Sequence, residues 1–205
     1  MNCQRLAASC LVAVILLATG CVMSRSTAPA TSPSAPVASP TLAPSIFYEE
    51  GDLVFLGVNV HITRFSLDAD LLPVEIAIAN KGIEQLSVSP EHITLRSPDG
   101  DAWPMASEEE SAGSSLRSEF DRRLMPVPFA DAVKLRFPNY RSVPSTFGLR
   151  GGNRSMTRTV EMRKNSWTLT QIWFPNPGGE LKGKLYEVWL DSPELPEPVF
   201  TTVRF

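Results

Sequence analysis

The chain has 205 residues, and its 19 basic against 22 acidic side chains give a formal net charge of −3, so it lacks the basic excess that nucleic-acid binding requires. With 43% apolar residues it can build a core of its own. Its three cysteines, Cys3, Cys10 and Cys21, all stand near the N-terminus and leave the rest of the chain no thiol for a disulfide, a metal cluster or a nucleophile.

Residues 1–20 divide into three parts. Met1 to Arg5 carries one positive charge and no acid, Leu6 to Ala18 is an apolar run of about thirteen residues, and Thr19-Gly20 places small residues before Cys21. The alternative, an uncleaved spanning helix, needs about 20 apolar residues. The run Leu17-Ala18-Thr19-Gly20-Cys21 resembles the lipobox of bacterial lipoproteins. That resemblance implies a signal peptide over 1–20, cleavage between Gly20 and Cys21, a diacylglyceryl group on the Cys21 thiol, and further acylation, palmitate among the chains, on the new amine. It also implies a protein held to a membrane by its lipid. Val22 is not the aspartate that, in that family, retains the protein at the inner membrane, so in a host with two membranes the implied address is the outer membrane, facing the periplasm. Each buried methylene contributes about 0.8 kcal/mol, so two or three chains hold firmly where one does not. Loss of Arg5 leaves 18 basic against 22 acidic side chains, a mature charge of −4.

Residues 21–45 read as the lipidated cysteine and a tether. The stretch from Ser24 has prolines at 29, 33, 36, 40 and 44, no aromatic residue and Arg25 as its sole charge, so it cannot bury enough apolar surface to fold. In the polyproline limit of about 3.1 Å per residue, such a tether reaches roughly 75 Å. Docking on a proline-binding module is the alternative use of such a tract; a spacer needs less machinery.

Residues 46–205 alternate with the period of two that marks β-strands. Val74, Ile76 and Ile78 share one face against Glu75, Ala77 and Ala79, and Ile93 and Leu95 alternate with His92, Thr94 and Arg96. The pattern predicts strands over 53–65, 72–79, 84–89, 93–96, 133–137, 156–162, 167–174, 185–190 and 199–205. Asn80-Lys81-Gly82 and Pro98-Asp99-Gly100 read as hairpin or corner turns, and Asn176-Pro177-Gly178-Gly179 as the hairpin between the strand ending at Phe174 and the one ending at Leu190. The expected fold is mainly β, an antiparallel β-sandwich with one short helix in an inter-strand segment. That helix starts at Ser107-Glu108-Glu109-Glu110, a capping box, and carries a stripe of Leu116, Phe120 and Leu124 before Pro126 stops it. A calcium or magnesium site on the three glutamates is the alternative, but consecutive carboxylates point in different directions around a helix.

The stretches Val74-Glu75-Ile76-Ala77-Ile78-Ala79-Asn80-Lys81-Gly82, Val88-Ser89-Pro90-Glu91-His92-Ile93-Thr94-Leu95, Pro98-Asp99-Gly100 and Ile172-Trp173-Phe174-Pro175 are similar to bacterial lipoproteins with an immunoglobulin-like, telokin-like sandwich. The resemblance implies an immunoglobulin-like fold and an extracytoplasmic address, and brings no catalytic residues.

The inventory for chemistry is short. His61 and His92 fall in strand-like alternation, where an imidazole is more often structural than catalytic. Asp68 and Asp70, with Asp99 and Asp101, offer carboxylates for glycoside hydrolysis, yet each pair sits in a turn where aspartate is at home. A periplasmic hydrolase is therefore the weakest reading; no enzyme, metal site or cofactor is expected. Two binding roles remain. Strand edges at 53–65 or 199–205 offer an envelope protein a place to add a strand. A glycan or small ligand would instead use Trp103, Trp167, Trp173 or Trp189 for stacking and Arg150, Arg154, Arg158, Arg163 and Lys164 for anion attraction. The final Val203-x-Phe205 also resembles the ending of outer-membrane barrels, but the many prolines break the chain too often for barrel strands, and Phe205 reads as the end of a sandwich strand.

Overall fold

The computed structural model describes residues 44–111, 129–145 and 159–205, all within one unit, Pro40–Phe205. Gly20, Cys21, the rest of the tether before Pro44, the stripe Leu116, Phe120 and Leu124, and Arg150, Arg154 and Arg158 lie outside the described residues.

The described residues form an antiparallel β-sandwich. One sheet has the order β1 (Ile46–Glu50), β2 (Val54–Asn59), β3 (Leu71–Asn80), β9 (Ser166–Pro175), β7 (Arg141–Ser142), with β7 running parallel to β9 and the other pairs antiparallel. The other has the order β11 (Val199–Arg204), β10 (Leu185–Leu190), β5 (Ile93–Arg96), β6 (Ala102–Pro104). A ribbon of β4 (Gln85–Val88) and β8 (Val160–Arg163) completes the β structure.

Alternation decides what fills the space between the layers. Val54, Leu56 and Val58 of β2, Val74, Ile76 and Ile78 of β3, and Ile172 and Phe174 of β9 meet Ile93 and Leu95 of β5 and Val188 and Leu190 of β10 in one buried cluster. Leu86, Val88, Val160 and Met162 bring the ribbon into the same core. Burying each such side chain contributes about 1.5–3 kcal/mol. Phe205 closes this core against Tyr186 at a ring distance of 5.3 Å, as expected for the end of a sandwich strand.

The opposite face of the five-stranded sheet is also covered, which is why β3 is buried on both sides. Phe55, Ala77, Ala79 and Trp167 pack there against Phe129, Val133 and Phe137 of and just beyond helix α2 (Phe129–Arg136). Val133 to Phe137 was expected as a strand, and this is a correction. Phe129, Val133 and Phe137 recur every four residues, which puts them on one helical face, whereas Leu135 is 71% exposed. Asp131 in the first turn and Lys134 and Arg136 in the last suit the helix dipole. The capping box before α1 (Glu108–Ser111) forms as expected: the Ser107 N–H and hydroxyl both donate to Glu110 Oε2 at 2.8 Å, and the Glu110 N–H donates to Ser107 Oγ at 3.3 Å.

Of the two outcomes expected for Asn80-Lys81-Gly82, hairpin or corner, the structure has the corner, which passes the chain from β3 to the ribbon; the buried Asn80 amide holds it by donating to Ile83 O and Met162 O and accepting from the Ile83 N–H. The second turn differs from its expected hairpin. Asn176-Pro177-Gly178-Gly179 lies on a crossover, since β9 and β10 belong to different sheets. The Asn176 side chain donates to Leu67 O and Ala69 O, tying that crossover to the turn before β3. Pro98-Asp99-Gly100 does close the β5–β6 hairpin, with Gly100 at φ +97°. The expected strand 53–65 ends at Asn59 and continues into a 3-10 turn, Thr63–Phe65.

Candidate functional site

Pro44 and Ser45, the first described residues, lie at one end of the sandwich. The Val60 N–H donates to Ser45 O, and the Arg64 guanidinium donates to Pro44 O and Arg204 O at 3.2 and 3.3 Å, pinning the start of the unit to the end of its last strand. Across the five-stranded sheet this end is marked by the row Ile46, Asn59, Glu75, Gln171. The buried Glu75 carboxylate accepts from Asn59 Nδ2 at 2.8 Å, whereas both amide atoms of Gln171 and the Trp173 indole N–H are buried without a hydrogen-bond partner.

Three of the four tryptophans expected to stack have their rings covered by the protein itself. Trp167 and Trp173 are 6% and 1% exposed; the first lies in the cluster with α2, the second in the five-stranded sheet opposite Pro73. Trp103 is half-buried and packs edge-on to Tyr186 at the rim of the main core. Trp189 faces outward but both ring faces are taken, one by Phe200 stacked at 4.7 Å and the other by the Arg96 guanidinium at 4.1 Å. Trp167 and Trp173 are too buried, and Trp189 too flanked, to offer a sugar ring an indole face.

Neither histidine sits in a strand, contrary to expectation. His92 ends the 3-10 turn Pro90–His92, where its Nδ1 accepts the Ser89 N–H at 3.3 Å, and the His61 ring stands edge-on to Phe65 after β2. Asp99 lies in the β5–β6 hairpin, where its charge joins burial in raising the Tyr186 phenol above its ordinary value, burial being the larger cause. The Glu110 carboxyl is held below its usual range by the Ser107 N–H and hydroxyl, which uses it in the cap. Among the described residues no three His, Cys, Asp or Glu side chains group as metal ligands.

Edges fall differently from expectation too. β2 lies between β1 and β3, so the edge belongs to β1, which the sequence pattern did not single out. β11 is an edge of its own sheet, as expected.

At the end of the sandwich away from Pro44 lies a groove of about 340 Å³ lined by Arg141, Ser142, Val143, Pro144, Glu161, Arg163, Lys164 and Ser166. Its geometry comes from three connections. The Arg141 N–H donates to Asn165 O at 2.9 Å, the Val143 N–H donates to Trp167 O at 2.8 Å, and Ser166 Oγ donates to Arg163 O at 2.6 Å. Asn165 takes φ +60° to turn β8 into β9 in two residues. Arg163 and Lys164 belonged to the expected basic strip; Arg141 did not, because only the short parallel pairing of β7 with β9 brings it there.

No family model matches the chain, and no curated protein does. Among solved structures it is similar to a candidate lipoprotein (ycdA) from Bacillus subtilis subsp. subtilis str. 168, at 13% identity and a TM-score of 0.40, over 77% of this chain. The chain spans 38% of that protein's length.

Proposed function

We propose that this protein is a lipid-anchored, extracytoplasmic lipoprotein whose sandwich acts as a binding or envelope-organising module and not as an enzyme. The observation that carries the reading is Cys21 at the close of the apolar run 6–18, followed at once by a proline-rich tract that precedes the first strand at Ile46. The thioether at Cys21 is the membrane attachment, Val22 favours outer-membrane delivery in a host with two membranes, and the sandwich is of the immunoglobulin-like, telokin-like kind. Binding in preference to conversion is supported by the structural employment of both imidazoles and by a groove whose lining carries three cations against one carboxylate among the described residues. The test is Cys21→Ser in the producing cell. The expected outcome is a folded protein that no longer takes up labelled lipid and accumulates with its leader uncut; lipid labelling that survives the change would overturn the assignment.

A further inference from the structure

The groove at the β7–β8–β9 end carries Arg141, Arg163 and Lys164, all exposed, against the single carboxylate of Glu161. That carboxylate is already engaged: its Oε2 accepts Gln85 Nε2 at 2.8 Å and Ser87 Oγ at 3.0 Å. Nearby cations on the same unit are used otherwise, since Lys81 and Arg136 both pair with Glu50. Among the described residues, no ion pair involves Arg141, Arg163 or Lys164, so a chain of net charge −3 gathers three cations against one carboxylate around one concavity, a local excess of positive charge. Like charges repel, and an oxyanion placed among these cations relieves that repulsion while accepting their hydrogen bonds.

The position narrows the class of ligand. Asn80 pairs with Val54 and Ser166 at the groove end, and Glu75 pairs with Asn59 and Gln171 at the Pro44 end. Ser166 and Gln171 are five steps apart along β9, about 17 Å at the rise of an extended strand. The groove therefore opens at the end of the unit opposite Pro44. Its volume lies at the small end of ligand sites, which span about 300–1,000 Å³, and its cations come from both β7 and the β8–β9 turn, which suits a ligand bearing more than one phosphate.

We infer that this groove binds a phosphate-bearing polyanion, with the guanidinium forks of Arg141 and Arg163 and the Lys164 ammonium contacting successive phosphate groups. The inference rests on the binding role proposed above but not on the lipid anchor. The full chain in neutral detergent micelles is titrated calorimetrically with tripolyphosphate, with glycerol phosphate as a single headgroup-like phosphate, and with polyaspartate as a carboxylate chain. Tripolyphosphate is expected to bind at least about tenfold more tightly than either of the others, and to weaken as salt screens exposed charge. The variant Arg141→Glu/Arg163→Glu is expected to lose about tenfold or more, and Lys182→Glu, an exposed cation outside the groove, less than about twofold. Thermal midpoints of both variants are measured alongside to confirm folding. Tripolyphosphate failing to bind, glycerol phosphate or polyaspartate matching it, or Lys182→Glu costing as much as the double variant would each overturn the inference. Since the titration is read apart from lipid attachment, its failure and that of the anchor are distinguishable.

Discussion

Replacing three residues of α2 in turn separates the helix from the strand that the sequence pattern suggested. In the helix, Val133 and Phe137 face the sheet at 3% and 6% exposure, while Leu135 is 71% exposed. Phe137 packs edge-on to the Phe55 ring at 5.1 Å. Phe137→Ala removes a buried ring and leaves a cavity, at a cost of about 3–5 kcal/mol. For a chain of this size that lowers Tm by roughly 10 °C. Val133→Ala deletes two buried carbons, at about 0.8 kcal/mol each plus a cavity contribution, for about 2 kcal/mol. Leu135→Ala removes exposed surface and puts a better helix former in its place, so its effect stays within about 0.5 kcal/mol. Urea denaturation of the full chain and its variants reads these differences as shifts of midpoint at constant slope. In a strand, positions 133, 135 and 137 would share a face. Comparable losses at all three would therefore refute the helical docking.

Glu50 is held below the ordinary carboxylate value of 4.5, chiefly by the Arg136 hydrogen bond, with Lys81 acting the same way and partial burial opposing. Because its folded value is depressed, the stability it contributes is present above 4.5 and is lost as pH falls through the lower folded value. Glu50→Gln should cost about 0.5–1 kcal/mol near pH 7, with the gap to the parent protein closing in acid; a gap that persists unchanged at about pH 3 would contradict the pairing. Gln171 buries both amide atoms without a partner, so Gln171→Met should raise stability by about 1–3 kcal/mol in denaturant titrations. A loss of similar size would mean that the amide is hydrogen-bonded in solution.

The strands with sustained alternation were legible because both faces of β3 are dictated by the sequence: branched residues at 74, 76 and 78 toward the main core, small ones at 77 and 79 where α2 packs close. α2 was not, because Val133, Leu135 and Phe137 satisfy a period of two, and only Phe129 ahead of them reveals the period near four. The short strands β6 and β7 carry too few residues for any period, and β1 runs three apolar residues into two acids without alternating; tertiary pairing defines them. Turn residues marked where the chain bends, but not whether the next strand pairs with the last, which is why Asn80-Lys81-Gly82 read equally as hairpin or corner, and why Asn176-Pro177 proved to be a crossing between the two larger sheets. The groove was half legible: Arg163 and Lys164 are adjacent in sequence, but Arg141 arrives from the far side of α2 through pairing with β9.

Attachment through lipid at Cys21 underlies the whole functional reading, and intact mass analysis of the mature N-terminal peptide tests it most directly. The account expects a peptide that begins at Cys21 and carries a diacylglyceryl group on sulfur. A mature chain starting elsewhere, or a Cys21 with a free thiol, would contradict it.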